Sequence, residues 1–316
     1  MALVLSVDQI RFSLNRLRER LWVKPLVVCL LSIAAVFVAK LADSTVVAQF
    51  VPVVAEVSIE TLLSIMASSM LVIATFTVAA MVSAYASASS TATPRSLTLV
   101  VADDASQMAL STFVGAFIFS TVALTAVKNN YFSTAGIFIL FILTVAGFGI
   151  VIFTFVRWVD SIARLGRMGS TIDKVEKAAA GALKRRRDAP MLCGVRIETE
   201  VEVSERAIFA QSIGYVQHID IASLQAWAEK AQARVVVAAL PGTFAVPSKA
   251  LAYIIAPSDN QTEIDHKPVV EAFQVGNDRL FDDDPRFGLV VLSEIAGRAL
   301  SPAVNDPGTA IVILGS

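Results

Sequence analysis

Near the C-terminal end, residues 298–310 combine side chains that can bind a ligand with residues that interrupt a helix. An arginine, two hydroxyl side chains and an Asn-Asp pair lie in a short break between two apolar, helix-like runs. The residues that carry this pattern are Arg298, Ser301, Pro302, Asn305, Asp306, Pro307 and Thr309. Because free N–H groups at a helix start hold phosphates and carboxylates, one interpretation is a small-anion or ligand site.

The other interpretation is a rigid corner between two helices. Pro302 prevents the first helix from continuing, since proline has no N–H group and clashes with the preceding turn. Asn305 or Asp306 can cap the second helix, with Pro307 in its first turn. The negative charge of Asp306 opposes a bound anion, so the sequence favours the corner and leaves the ligand site open.

Elsewhere, the side chains that usually carry catalysis or hold metals lack the required spacing. His218 and His266 are the two histidines, and neither stands at metal-ligand spacing from another ligand. The acidic run 282–284 lacks the later ligands of a calcium loop, so Asp284 and Pro285 are interpreted as a helix start. No nucleophile elbow, phosphate loop or dinucleotide fingerprint occurs. We therefore predict no enzymatic activity, no metal and no cofactor.

The composition indicates a membrane protein. Of the 316 residues, 55% are hydrophobic and only 17% are charged, whereas soluble domains carry about a quarter charged residues. The net charge of -1 argues against a nucleic-acid partner, because phosphate neutralisation drives such binding. Cys29 and Cys193 occur in very different surroundings, which predicts two unpaired thiols.

Four apolar runs in the first half are long enough to cross a bilayer, which takes about 20 residues. They are residues 25–41, 59–88, 108–127 and 137–156. Arginine and lysine are frequent before the first run and after the fourth, and absent from residues 42–58. By the positive-inside rule, this distribution predicts a multi-pass membrane protein with both termini in the cytoplasm.

The chain divides into four segments by pattern. We predict a basic amphipathic helix over residues 1–24, a transmembrane domain over 25–156, a basic helical linker over 157–188 and a cytoplasmic domain over 189–316. In the last segment, alternation of apolar and polar residues predicts strands over 195–203, 214–220, 234–240, 243–246 and 251–256. Residues 223–233 are expected to form a helix that Ser223 caps.

The fold class that follows is an α-helical transmembrane protein with four spans and an α+β cytoplasmic domain. The short strands around one helix favour a small β barrel or sandwich. After it, the apolar period becomes helical again on both sides of the break in residues 298–310, which predicts a C-terminal helical hairpin.

The loop between the second and third spans carries further candidate residues. Pro94 ends the second span, and Asp103 or Asp104 can cap the third. Arg95, on the cytoplasmic side, is expected to meet lipid phosphates, solvent or acidic side chains of the C-terminal domain. The membrane-proximal candidates are Pro94, Arg95, Asp104 and Gln107.

Several of these residues together resemble a bacterial membrane-protein family known as domain of unknown function 2254. The resemblance rests on Arg279, on residues 284–289 and on the motif of residues 298–310, with weaker matches at 89–95, 104–107, 214–216 and 241–244. It implies four spans, a cytoplasmic C-terminal domain and a location in the bacterial inner (cytoplasmic) membrane, and no established reaction or ligand. The family pattern continues past Ser316, so we expect this chain to be truncated at its C-terminus.

The spans themselves suggest a function. Ser64, Ser68, Ala80, Ala84 and Ala88 are predicted to form one stripe on the second span, suited to close helix packing or to a hydroxyl-lined conduction path. No ionisable residue lies deep in a predicted span, which argues against coupled transport.

We therefore expect a channel-like or passive transport homo-oligomer in the lipid bilayer, gated by its cytoplasmic domain. The alternative is a membrane-anchored sensor or scaffold that binds a ligand or partner at the corner of residues 301–309. The sequence indicates neither the transported species nor the identity of a small ligand.

Overall fold

The structure is a computed structural model that describes residues 22–41, 43, 52–101, 103–165, 167–196, 206–255 and 265–316. The chain divides into two compact units, one within residues 15–171 and the other within residues 172–316. The helix predicted over residues 1–24 and the strand predicted over residues 195–203 lie mostly outside the described residues.

Four described helices of the first unit are long and apolar enough to cross a membrane, which confirms the four predicted spans. They are α1 (Val23–Leu41), α2 (Glu56–Thr91), α4 (Asp104–Lys128) and α5 (Thr134–Ile162), with the short α3 (Leu97–Val101) between α2 and α4. At 1.5 Å per residue, the 36 residues of α2 extend about 54 Å, well past a hydrocarbon core of about 30 Å. The helices exceed the predicted apolar runs because polar turns at their ends also form helical hydrogen bonds.

The four spans share one hydrophobic core, and α4 packs against the other three. Phe113 of α4 is fully buried, and its ring meets that of Trp158 on α5 edge-on, with 6.4 Å between the centroids. Gly115 allows α1 to approach α4 closely, since a Cβ atom there would lie 2.4 Å from Cγ1 of Val28. Side-chain size therefore sets the spacing of α1 and α4.

The second unit begins within α6 (Met168–Asp188). It contains two three-stranded antiparallel sheets. Their strand orders are β1-β5-β3 and β4-β2-β6. The strands are β1 (Arg206–Phe209), β2 (Gly214–Ile219), β3 (Arg234–Val237), β4 (Phe244–Ala245), β5 (Ala250–Ile255) and β6 (Phe273–Gly276). Ile208, Leu251 and Phe273 belong to one hydrophobic core that both sheets share. A small antiparallel sheet region is thus confirmed.

Helices complete the second unit. α7 (Ile221–Ala231) follows β2, and α8 (Lys267–Glu271) precedes β6. Two C-terminal helices, α9 (Phe287–Ala299) and α10 (Pro307–Gly315), pack against each other, which confirms the predicted pair. A Cβ atom on Gly288 of α9 would lie 2.4 Å from Cβ of Ala179 on α6, so glycine permits this close contact.

Two predicted helix starts are wrong. α7 begins at Ile221, and its cap is Asp220, whose Oδ1 accepts the N–H of Ser223 at 2.9 Å. Ser223 is therefore the capped residue rather than the cap. α9 begins at Phe287 instead of Pro285, and the Asp284 carboxylate accepts hydrogen bonds from Arg279 and from the backbone N–H of Arg286 just before the helix. α8 and β6 were not predicted.

The single stripe predicted on α2 is also wrong, because its members lie on different faces. Ala88 is fully buried, whereas Ser64 and Ser68 are exposed. The three alanines lie 16 to 24 residues after Ser64, and a helix turns by about 100° per residue. Over such distances residues reach different sides of the helix, which a pattern of small residues does not reveal. The hydroxyl residues and the alanines therefore have different environments.

Candidate functional site

The C-terminal corner is built mainly by backbone hydrogen bonds. Ser301 accepts the N–H of Asn305 at 2.8 Å, and Ala299 accepts the N–H of Asp306 at 2.8 Å. Asn305 adopts a φ of 49°, a left-handed conformation that asparagine tolerates better than most residues. Pro302 lies in the exposed segment of residues 302–308. These bonds turn the chain from α9 into α10.

Asp306 caps α10, as one of the two predicted candidates. Its carboxylate accepts the backbone N–H of Thr309 at 3.1 Å and the Thr309 hydroxyl at 2.6 Å. The bond from the Thr309 hydroxyl holds the pKa of Asp306 below its ordinary value. Pro307 occupies the first helical position, and Arg298 lies exposed in the last turn of α9. The Asp306 carboxylate thus occupies the N-terminus of α10, which is where the sequence suggested that a small anion could bind.

Arg279 and Asp284 form a separate buried contact. Arg279 donates to Oδ2 of Asp284 through Nε at 2.7 Å and through Nη2 at 2.6 Å, and Asp284 is only 4% exposed. Gly242, with a φ of 89°, leaves the space that this carboxylate occupies, because a Cβ atom there would lie 2.2 Å from Oδ2. The Arg279 guanidinium also lies 5.0 Å from the ring centroid of Phe287. This contact anchors the segment before α9.

Sequence reasoning missed a second polar contact beside it. His218 Nδ1 and Asp283 Oδ2 lie 2.6 Å apart, which ties β2 to the same segment. Burial raises the pKa of Asp282, and the adjacent Asp283 carboxylate raises it further. Arg185 of α6 donates to the carbonyl oxygen of Asp282 through Nε at 3.0 Å. In the sequence, His218 is a single histidine on a predicted strand. Nothing local to it indicates that its partner Asp283 lies 65 residues away.

The membrane-proximal loop is ordered by local caps. Thr93 accepts the N–H of Arg95 at 3.1 Å, and Asp103 caps α4 by accepting the N–H of Ser106 at 3.1 Å. Gln107 is 1% exposed and donates from Nε2 to the Val101 carbonyl at 3.1 Å.

The other loop candidates lie at its surface. Pro94 and Arg95 are exposed in a 3-10 turn that follows α2. The Asp104 carboxylate pairs with the Lys24 ammonium of α1. Gln107 therefore supports the fold of the loop, while Pro94, Arg95 and Asp104 present their side chains outside the core.

The Asp43 carboxylate, just after α1, binds the start of α5. Asp43 accepts the backbone N–H of Ser133 at 2.9 Å and that of Gly136 at 2.6 Å, and Lys40 lies 3.2 Å away. Burial raises the pKa of Asp43, but these hydrogen bonds and the Lys40 charge outweigh burial and lower the pKa below its ordinary value. Asp43 is thus a non-local cap for α5.

The outward face of α2 carries a line of hydroxyl side chains, here called the outer hydroxyl stripe. Thr61, Ser64, Ser68 and Thr75 are all exposed. At 100° per residue they lie within about 60° of the helix circumference, and at 1.5 Å per residue the line is about 21 Å long. The inner face of the same helix instead carries Leu63, Met66 and Met70, which are buried.

Three hydroxyls of the stripe donate to the helix that carries them. Thr61 donates to the Val57 carbonyl at 2.7 Å, Ser68 to that of Ser64 at 2.9 Å and Thr75 to that of Val72 at 2.8 Å. Their hydrogens are thereby occupied, and the oxygen lone pairs remain available on the outward face. The stripe therefore presents acceptors along α2.

These features are typical of a membrane protein, with four candidate spans and a polar stripe on one of them. The family described as "Predicted membrane protein (DUF2254)" matches residues 18–316, so the chain belongs to this family. An uncharacterized protein of Mycobacterium tuberculosis (strain CDC 1551 / Oshkosh), MT1328, is 26% identical over 239 residues, which cover 72% of this chain and 45% of that protein. The chain thus spans about half the length of this relative. No solved structure matches the chain.

Proposed function

We propose that the protein is a channel-like passive transporter in which several copies surround a path lined by the outer hydroxyl stripe of α2. The homo-oligomer resides in the bacterial inner membrane with both termini in the cytoplasm. The second unit, as a small barrel or sandwich, acts as its gate. The proposal includes no catalytic step, metal or cofactor.

The observation that supports this proposal most is the alignment of the four hydroxyls on an outward face. In an isolated copy these side chains would face lipid, where their free lone pairs find no donor. Around a shared path they would meet water or a permeant solute. A passive path also requires no ionisable side chain in the membrane, in keeping with the uncharged interior of the four spans.

An apolar position within the stripe fits the constriction that such a gate opens and closes. Val72 lies between Ser68 and Thr75 and is 66% exposed on the same side of α2. A ring of valines, one from each copy, would narrow the path and exclude water when closed. Val72→Ser is then expected to raise the resting flux, because a hydroxyl favours wetting of the constriction.

The flux experiment uses the full chain reconstituted in liposomes, with K⁺, Na⁺, Cl⁻ and glycerol as test solutes. Thr75→Leu is expected to lower the flux of the permeant solute by about an order of magnitude, because it adds an apolar side chain to the path. Silence of the folded wild-type protein toward all four solutes would contradict the proposal.

Thr121→Leu on α4 is the matched control. Thr121 is also an exposed threonine of a span, and its hydroxyl donates to the Phe117 carbonyl one turn earlier at 2.8 Å. The control should transport as the wild type does. Equal losses in both variants would mean that the flux depends on general helix properties rather than on the stripe.

The second proposal is a membrane-anchored sensor or scaffold that binds a ligand or partner at the corner of residues 301–309. The exposure of residues 302–308 in one continuous run favours it. Asp306→Asn keeps a capping oxygen for Thr309 while removing the charge. Mass spectrometry of molecules that copurify with the two proteins should then differ, and identical recoveries would count against this proposal.

A further inference from the structure

The second unit contains an open cavity, here called the β3 cavity, beside an edge strand. It has a volume of about 890 Å³ and lies among residues 190–196, one face of α7 and β3. Because β3 is the last strand in the order β1-β5-β3, no described strand covers this side of the sheet. A cavity of this size falls within the range of pockets that bind small organic molecules.

Most of the lining of the β3 cavity is aliphatic. Among the described residues it includes no aromatic side chain, so it offers no ring on which a nucleotide base would stack. A flexible aliphatic chain suits such a surface better, since burying it removes apolar area from water. Five lining residues lie in the hydrophobic core of the unit or pack against it: Leu192, Ile221, Leu224, Val235 and Val237.

The charges of the lining favour a ligand with a negative head group. Three arginines line the cavity, namely Arg186 of α6, Arg196, and Arg234 at the start of β3. Glu229 is the one carboxylate among the described lining residues. None of the three arginines forms an ion pair with another described residue. Since a guanidinium group binds carboxylates and phosphates through two parallel hydrogen bonds, these arginines suit an anion.

The turn that leads into the cavity has an unusual backbone conformation. Leu192 and Cys193 adopt φ angles of 51° and 65°, which few residues other than glycine and asparagine do. Two hydrogen bonds hold the turn, from the N–H of Leu192 to the Ala189 carbonyl at 3.1 Å and from that of Gly194 to the Met191 carbonyl at 2.9 Å. Backbone strain of this kind concentrates at sites that bind ligands.

We infer that the β3 cavity binds a long-chain acyl anion, with its aliphatic chain on the core residues and its carboxylate on the arginines. The inference depends neither on the path along α2 nor on the corner of residues 301–309. Its tests measure binding alone. It would therefore stand if no solute crossed the membrane, and it would fail without any change in flux if the cavity took up no acyl anion.

Cys193 reports directly on occupancy, because its thiol is exposed and lines the cavity. The full chain with Cys29→Ser is placed in nanodiscs of zwitterionic lipid, and dodecanoate is added up to its solubility limit. Saturating dodecanoate is expected to slow thiol labelling of Cys193 about tenfold, since the bound chain covers the thiol. An unchanged labelling rate would overturn the inference.

One control position and two control compounds define what is bound. Ser248 is an exposed serine of the same unit that does not line the cavity. Ser248→Cys, in a chain with Cys29→Ser and Cys193→Ser, should label at the same rate with and without dodecanoate. Dodecanol lacks the charge and acetate lacks the chain, so neither should protect Cys193 at the same concentration. Protection of position 248, or equal protection of Cys193 by either compound, would contradict an acyl-anion site.

A pair of adjacent arginines on α6 tests the head group. Arg186→Gln should raise the dodecanoate concentration for half-maximal protection about tenfold, because it removes one charge-assisted contact. Arg187→Gln is the matched control, since Arg187 is an exposed neighbour that pairs with Asp188 and does not line the cavity. Equal shifts in the two variants would assign the effect to the general charge of α6 and overturn the role of Arg186.

Two alanines of α7 test the aliphatic part. Ala228 lines the cavity, whereas Ala226 is exposed on another face of the helix. Ala228→Leu fills space that the chain of the ligand would occupy and should weaken dodecanoate binding about tenfold, while Ala226→Leu should bind as the wild type does. Circular dichroism checks that both variants are folded. Equal affinities in two folded variants would contradict binding of the chain in this cavity.

Discussion

The inner and outer surfaces of the membrane-spanning bundle use different residues, and α2 shows the contrast within one helix. Its inner face is built from leucine and methionine, of which Leu63 and Met66 are fully buried. Its outer face carries the hydroxyl stripe that begins at Thr61 and ends at Thr75. Lipid favours apolar side chains on an outward face, and the proposed function therefore assigns these outward hydroxyls to a surface that water or other copies contact.

Two glycines show the same contrast. Gly115 lies where α1 and α4 meet, and Val28 leaves no room for a Cβ atom. Among the described residues, no atom lies within 4 Å of the Cβ position of Gly149 on α5. Shape therefore constrains the inner surface at Gly115, whereas the described residues leave open space at Gly149 on the outer surface.

The largest effect is expected on the inner face. Leu63→Ala should lower the free energy of unfolding by about 2–5 kcal/mol, because it removes a fully buried side chain and leaves a cavity. Ile65, half exposed on the other side of the helix, is the control, and Ile65→Ala should cost less than about 1 kcal/mol. Denaturant unfolding in detergent measures both. Equal costs would mean that the two faces of α2 are not distinguished as described.

The two glycines give the next largest difference. Gly115→Ala should cost about 1–3 kcal/mol, since its methyl group overlaps Val28. Gly149→Ala should be neutral or stabilise α5 by up to about 1 kcal/mol. Thermal melting of the two variants in the same detergent provides the comparison, and a destabilised Gly149→Ala variant would contradict the assignment of Gly149 to an open surface.

A smaller effect is expected at the end of the bundle, where Asp43 caps α5. The Asp43 pKa is lowered in the folded protein, so its contribution is present above the unfolded value of about 3.8 and is lost as pH falls through the lower folded value. Asp43→Asn should cost about 1 kcal/mol at neutral pH by removing the charge at this helix start. Asp43→Asn should also remove the contribution of Asp43 to the loss of stability at low pH.

Asp160→Asn is the control for this prediction. Asp160 pairs with Arg164 at a site where both side chains are more than 60% exposed, so its loss should have little effect. Unfolding of the three proteins is followed from neutral pH down to about pH 3, which spans the ordinary carboxyl range. An acid dependence in Asp43→Asn that matches the wild type would assign the effect to another carboxylate.

The four spans, most strands and a helix cap at Asn305 or Asp306 were predictable from the sequence, because these depend on local patterns, and the structure has Asp306 as the cap. Long apolar runs have few alternatives, and an Asp-Pro pair after a helix break specifies a helix start within one turn. The Ala-, Ser- and Thr-rich α2 was harder, since small residues occur on all its sides and do not reveal which one is buried. In the structure, the buried side of α2 is the one that carries Leu63 and Met66.

Contacts between distant residues could not be predicted from one sequence. Arg279 and Asp284 were both singled out, yet nothing local indicates that Gly242 makes room for their contact. Likewise, Asp43 lies 90 residues from Ser133, whose N–H it accepts. Both Asp220 and Ser223 are residue types that cap helices, and the sequence does not decide between them. In the structure Asp220 is the cap, and it accepts hydrogen bonds from the N–H and hydroxyl of Ser223.

Water accessibility along α2 tests the central claim most directly. Single cysteines replace Ser64, Ser68 and Thr75 in a chain with Cys29→Ser and Cys193→Ser, and a charged, membrane-impermeant thiol reagent is applied from each side of native membranes. Phe153→Cys on α5, where the native side chain is 68% exposed, serves as the lipid-facing control. We predict rapid labelling at the three α2 positions and very slow labelling at position 153. Labelling at the α2 positions as slow as at position 153 would contradict a water-filled path along the outer hydroxyl stripe.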